Sequence, residues 1–197
     1  MKRGIIERIG KGKFKLGKTT FFVPDISNKI FKLNKTIKTN FPFITYCIWS
    51  SRWINEFSQH ISKTGIILAD IERDSAESVY HSLKESPIAV FYKPGKELLY
   101  EYINGLESAI IIRHLVSEAP VQKIRGVTTV SIEKLLIDIF CDNEFEFVHG
   151  GEIVHIFENA FNLYSINQSK LLRYAERKKK KKEIIEMLNN HNLSVDM

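Results

Sequence analysis

Apolar positions recur along this chain with two periods, and the switch between them predicts its elements. Ile6, Ile9, Phe14 and Leu16 flank a Gly-Lys-Gly turn within residues 4–17, with Arg8, Lys11, Lys13 and Lys15 between them. Two short alternating runs about a glycine turn predict a β-hairpin. "TTFFV" (19–23) reads as a further strand. Over 24–40, Ile26, Ile30, Leu33 and Ile37 take helical spacing, with Asp25 as the expected N-cap and Lys29, Lys32, Lys35 and Lys38 along the polar side.

From Phe43 onward strands and helices alternate. "FITYCIW" (43–49), "GIILADI" (65–71), "PIAVFYK" (87–93) and "SAIIIRHL" (108–115) read as strands. Between them, 51–60 reads as a helix with Trp53 and Phe57 inward, 74–85 as a helix opened by Asp74 with Glu77 three residues on, and 95–103 as a third. Single helices between strands predict a parallel or mixed sheet covered by helices. After a possible strand within 121–130 the chain turns helical: 131–142 is strongly amphipathic, 150–164 follows, and 168–191 reads as one long helix capped by Asn167. The fold class is α/β (α+β): a basic hairpin (1–24), a basic connector helix (25–40), and an α/β domain (41–197) with a helical last third.

Charge divides the chain further. Residues 1–38 hold 11 Lys/Arg against 2 acids, 39–169 hold 10 against 17, and 170–182 hold 8 against 1. Basicity lies at both ends of an acidic middle, which suits a polyanionic partner through salt-sensitive phosphate contacts. At 44% hydrophobic content the chain can bury a substantial core. Its longest apolar runs fall short of the ~20 residues that span a bilayer, and no secretory signal is visible. Cys47 and Cys141 form neither a CxxC pair nor a disulfide framework, so the expectation is a cytoplasmic protein with two small core thiols.

Signals of catalysis are sparse. Asp70 and Glu72 in "ADIERD" end a strand as the acidic pair of a PD-(D/E)xK nuclease does, yet Arg73 stands where a lysine is wanted. His149 and His155 are six residues apart, whereas a two-histidine zinc helix needs four; with Glu152 they read as ordinary surface or core groups. Gly12 to Thr19 matches the bare P-loop expression, but Phe14 and Leu16 are bulky and "TFFVP" follows in place of a helix. No catalytic residue, metal site or cofactor is assigned.

"GIIERIGKGKFKL" resembles the wing that closes the winged-helix module of the AbiEi family of antitoxins. "YCIWSSRWINEF" (46–57), "AESVYHSLK" (76–84), "VTTVSIEKLLIDIFCD" (127–142) and "SINQSKLLRYAERK" (165–178) resemble stretches of that family's C-terminal domain. The likeness covers most of the chain and rests on the order of the strings, none of which is a catalytic signature. It implies an antitoxin of a type IV toxin-antitoxin (abortive infection) system, acting against a nucleotidyltransferase-like toxin without a stable complex and repressing its own promoter. The helices that precede the wing in that family have no counterpart in this sequence, so base readout is expected to be weakened or lost. Phosphate contacts remain, through Arg8, Lys11, Lys13 and Lys15 on the hairpin and Lys170, Arg173, Arg177, Lys178, Lys179 and Lys180 near the C-terminus. DNA is thus the expected physical partner and no membrane is. The competing reading is a nucleic-acid-processing enzyme using Asp70 and Glu72.

Overall fold

The structure, a computed structural model, describes residues 6–10, 13–16, 20–59, 61, 65–148 and 150–193, the first two segments by their backbone alone. The N-terminal hairpin is there: β1 (Ile6–Gly10) and β2 (Lys13–Leu16) pair antiparallel with Ile6 opposite Leu16 and Arg8 opposite Phe14. Lys11, and the side chains of Arg8, Lys13 and Lys15, lie outside the described residues. So does most of the P-loop match, although the part that is described, β2, is strand.

The body is a mixed sheet between two helical layers. Its strands are β3 (Tyr46–Ser50), β4 (Gly65–Ile71), β5 (Ala89–Tyr92) and β6 (Ser108–His114), in the order β3-β4-β6-β5. β4, β5 and β6 run parallel and β3 antiparallel. The period of two sends alternate side chains to opposite faces. Ile48, Ile67, Ala69, Ile71, Ile110 and Ile112 meet Ile30, Leu33 and Ile37 of α1 (Asn28–Asn40) and Ala76, Val79 and Leu83 of α2 (Ala76–Leu83). Cys47, Trp49, Leu68 and Ile111 face the larger core of α4 (Ile132–Cys141), α5 (Gly151–Leu163), α6 (Gln168–Arg177) and α7 (Lys181–Asn190). All seven residues of β4 are buried, as befits a strand covered on both faces. Asp70 is the one charged residue among them.

Several elements depart from the sequence reading, each for a local reason. Residues 21–26 alternate between exposed and buried, but no described strand pairs with them; they lie on the core, held by Ser165 N donating to Thr20 O and Gln122 Nε2 donating to Phe22 O. Ser27, not Asp25, caps α1: its Oγ accepts from Ile30 N at 3.4 Å. Residues 51–56 form a 3-10 turn in place of a helix. A 3-10 turn (Arg73–Ser75) precedes α2, and Glu72 serves as its anchor in place of the expected Asp74–Glu77 box, accepting from Ser75 Oγ at 3.1 Å and Thr45 N at 2.9 Å. The strand expected within 121–130 is a hairpin, β7 (Val121–Ile124) and β8 (Val127–Val130), joined by Arg125 and Gly126, both at positive φ. Between the sheet's parallel strands, α3 (Lys96–Glu101) is short. Edge strand β5 has four residues and is followed by Lys93, at φ 44, and Pro94.

The predicted long helix over 168–191 is two helices. α6 buries Leu171, Tyr174 and Ala175, whereas α7 buries Ile184 and Leu188. At about 100° per residue, Ile184 in an unbroken helix would face roughly 140° away from Leu171. The chain resets that phase at Lys178–Lys180, with Lys179 left-handed at φ 60. Replacing Lys179 by glycine is expected to leave stability unchanged or raise it by up to about 1 kcal/mol in urea unfolding, because glycine takes this conformation freely. An unbroken helix would instead lose about 1 kcal/mol.

Candidate functional site

The two central strands bring a carboxylate and a guanidinium side by side. Asp70 of β4 and Arg113 of β6 are direct partners in the parallel register, on the face that bears Leu68 and Ile111. α4 crosses that face and adds Lys134 and Asp138, one helical turn apart. Asp142 follows the end of α4, with Glu144 just beyond, while Tyr174 comes from α6 and Lys178 from its C-cap. Trp49 of β3 closes the floor, stacked on Phe145 at 5.3 Å between ring centroids.

Every cation here is engaged. Arg113 Nε donates to Asp70 Oδ1 at 2.7 Å, and Nη2 lies 2.7 Å from the same oxygen as an ion pair; Nη2 donates to Asp138 Oδ2 at 3.4 Å, and Nη1 to Asp142 Oδ2 at 2.9 Å and Glu144 Oε1 at 3.5 Å. All three guanidinium nitrogens are thus engaged, through four hydrogen bonds and one further ion contact. Lys134 Nζ donates to Asp70 Oδ2 at 2.7 Å and to Asp138 Oδ2, and lies 5.7 Å from the ring centroids of both Trp49 and Tyr174. Lys178 Nζ donates to Asp142 Oδ1 at 2.5 Å and meets Asp138 Oδ1 at 3.3 Å. Trp49 Nε1 and Tyr174 Oη complete the set, donating to Asp70 at 3.1 Å and Asp138 at 2.8 Å. Three cations thus face four carboxylates in a space that excludes water from most of them, where unpaired charge is costly.

This balance sets the protonation states. Burial pushes Asp70 upward, but Arg113 and Lys134 outweigh it and hold the carboxyl below its usual range. Asp138 behaves alike, with burial overcome by Lys134, Lys178 and Arg113. Asp142 goes the other way: burial and the charge of Asp138 raise it despite Arg113 and Lys178. Burial opposes the charge on Lys134 and Arg113, yet the carboxylates around them drive both well above their ordinary values. Burial raises Cys47, and pushes Cys141 up to about 12, so both thiols stay protonated at neutral pH.

Above the network a cleft of about 360 Å³ opens at the carboxyl ends of β4 and β6, bordered by Lys93, His114, Asp142, Asn143 and Glu144. In sheets with parallel strands this end is where ligands sit. Burial, followed by Lys93 and Arg73, lowers the pKa of His114, whose Nε2 lies 2.9 Å from Tyr92 Oη. The donor set does not favour a divalent ion: the carboxylate oxygens of Asp70 and Asp138 are already bonded to cations and ring donors. Among the described residues no three His, Cys, Asp or Glu groups converge as metal ligands.

The structure separates residues that the sequence groups together. Asp70 lies in the network, whereas Glu72 binds the backbone at Thr45 and the Ser75 hydroxyl. Lys178 is half-buried against Asp142 and Asp138, at the cleft above the network. Arg173 and Arg177 both pair with Glu118, and Lys180 pairs with Glu183 at 2.9 Å. Lys170 and Lys179 are exposed. His155 meets Glu158 at 3.4 Å, Glu152 accepts from Gln59 N at 2.7 Å, and His149 lies outside the described residues. Sequence reasoning missed Arg113, Lys134, Asp138, Asp142 and Tyr174. Lys134 and Asp138, four residues apart in "IEKLLIDI", give the helix an ordinary polar side in sequence, and only the structure shows every residue from Ile132 to Ile139 buried.

The molecule is therefore a three-layer α/β protein organised around a buried ionic network at the ends of its parallel strands. The chain belongs to DUF6577, a family of unknown function whose sequence profile matches residues 1–194. No curated protein matches it. Among the described residues no helix is long and apolar enough to cross a membrane.

Lys134→Met strands Asp70 and Asp138 with one cation fewer and is expected to cost about 3–5 kcal/mol in urea unfolding. Replacing Lys134 and Asp138 together by apolar residues should cost less than the sum of the single changes. Since the folded values of Asp70 and Asp138 are depressed below the unfolded value of about 3.9, their stabilisation is complete above that pH and lost as pH falls below it. Asp142, raised in the fold, contributes in the opposite sense, so thermal stability should be level or rise slightly from pH 7 towards 5 and fall steeply below 4.

Proposed function

We propose that this protein is a non-enzymatic antitoxin of a type IV toxin-antitoxin system, acting in the cytoplasm against a nucleotidyltransferase-like toxin and touching DNA through phosphate contacts. The observation that carries the non-enzymatic part is the saturation of the ionic network. Asp70, Asp138, Arg113 and Lys134 spend their hydrogen-bonding capacity on one another, whereas a catalytic acid, base or ligand needs capacity left for substrate. The antitoxin part is supported by the likeness of the five strings to the AbiEi family, four of which fall in the α/β body.

The nuclease alternative has less support. Its two acids point to different partners, Asp70 into the network and Glu72 to the backbone of Thr45. Expressing this chain together with a nucleotidyltransferase-like toxin from the same locus should restore colony formation, and Asp70→Ala should weaken rescue only as far as it lowers the amount of folded protein. Failure of rescue at normal expression, or Mg²⁺-dependent cleavage of DNA abolished by Asp70→Ala, would reject the proposal.

A further inference from the structure

The basic residues of this chain form two populations that composition alone does not separate. Most of those at the C-terminal end are answered by acids, Arg173 and Arg177 by Glu118, Lys178 by Asp142, Lys180 by Glu183 and Lys181 by Glu176, with Lys170, Lys179 and Lys182 as separate exposed exceptions. Those of α1 are not. Lys29, Lys32, Lys35 and Lys38 are all exposed, α1 contains no acidic residue, and none of the four makes an ion pair among the described residues.

This arrangement works against the helix itself. Lys29 occupies the first turn, where the helix dipole favours acids, and each successive pair stands three residues apart, close enough to repel. α1 is held instead by Ile30, Leu33 and Ile37, buried against the sheet. Local rules broken on an exposed face without internal compensation mark a surface kept for a partner. The patch continues onto the β7–β8 turn. Arg125 lies 6.0 Å from the ring centroid of Phe31 on α1, and Lys123, also exposed, adds a further cation.

We propose that the outer face of α1, extended by Arg125 and Lys123, is a docking surface for the phosphate backbone of a nucleic-acid duplex. The four lysines span about 13 Å of helix axis and fan over about half its circumference. That length of duplex presents about four phosphates on each strand. Beside the lysines, exposed Asn28 and Thr39 offer an amide and a hydroxyl suited to phosphate oxygens, whereas Thr36 and Asn40 already donate to Lys32 O and Ser82 Oγ. An anionic bilayer is the poorer fit, because a helix lying in a membrane surface presents an apolar face to the lipid, and that of α1 is already buried. The proposal refines the DNA-contact part of the proposed function by naming the surface; it does not depend on antitoxin activity.

The test is fluorescence anisotropy of a labelled 20-base-pair duplex of arbitrary sequence with the full chain, titrated from about 50 to 200 mM salt. Lys32→Gln with Lys35→Gln should lower the slope of log affinity against log salt by about 2 and weaken binding about 10-fold or more at the lowest salt. Lys179→Gln with Lys182→Gln, on the C-terminal run, should leave both within about twofold. All four positions are exposed, and unchanged thermal unfolding confirms that each variant is folded. No binding at the lowest salt would overturn both this assignment and the DNA contacts of the proposed function. Binding lost only in the C-terminal pair, or unchanged in both, would overturn this assignment alone. So would capture by phosphatidylserine vesicles that the α1 pair abolishes while duplex binding persists.

Discussion

The contact on which the body depends is the pairing of Asp70 with Arg113 across the two central parallel strands. Each strand is otherwise aliphatic here and covered on both sides, so a lone carboxylate or guanidinium at that level would be intolerable. Placed opposite each other in the register they neutralise one another, but a carboxylate and a guanidinium have more hydrogen-bonding sites than one pair can use. The surplus recruits the rest: Lys134 and Trp49 to Asp70, then Asp138, Asp142 and Glu144 to Arg113. Tyr174 and Lys178 follow to Asp138 and Asp142. The network thereby ties β3, β4, β6, α4 and the end of α6 into one unit. Its polar contacts are directional where the surrounding aliphatic packing is not, so it specifies how the helical layer sits on the sheet.

The same accounting explains why the C-terminal lysine run is not uniform. A run of five lysines reads in sequence as a solvated face. One member, Lys178, is instead drawn in by the acidic end of α4, and Lys179 absorbs the backbone distortion that follows. α7 then restarts with the phase that Ile184 and Leu188 require. Basicity at this end is therefore partly structural and partly neutralised by neighbouring acids, whereas the lysines of α1 remain uncompensated.

Much of the architecture was legible from hydrophobic period alone. β4 was read to the residue, and the other three sheet strands to within a few residues, because continuous aliphatic runs between helical segments have few other solutions. α4 and α5 were clear from their apolar spacing. What escaped was local: the 3-10 turn after β3, the Ser27 cap, the anchoring by Glu72, and the break at Lys179, each decided by a tertiary contact rather than by propensity. The network escaped for a related reason. Asp70 and Arg113 are 43 positions apart, and nothing short of strand register sets them opposite one another. Lys134 and Asp138 give α4 an ordinary polar side in sequence, and only the packing of the sheet and α6 against that side buries them.

One detail at the margin of the sheet bears on how such a chain survives at high concentration. The outermost strand, β5, offers only four residues to an approaching neighbour, and beyond them stand Lys93, turned out of extended geometry, and Pro94, which has no amide proton to give. An aliphatic sheet with a long open border would recruit further strands from other copies. Here the border is short and closes with a positive charge and an imino acid, two features that work against strand addition along this edge.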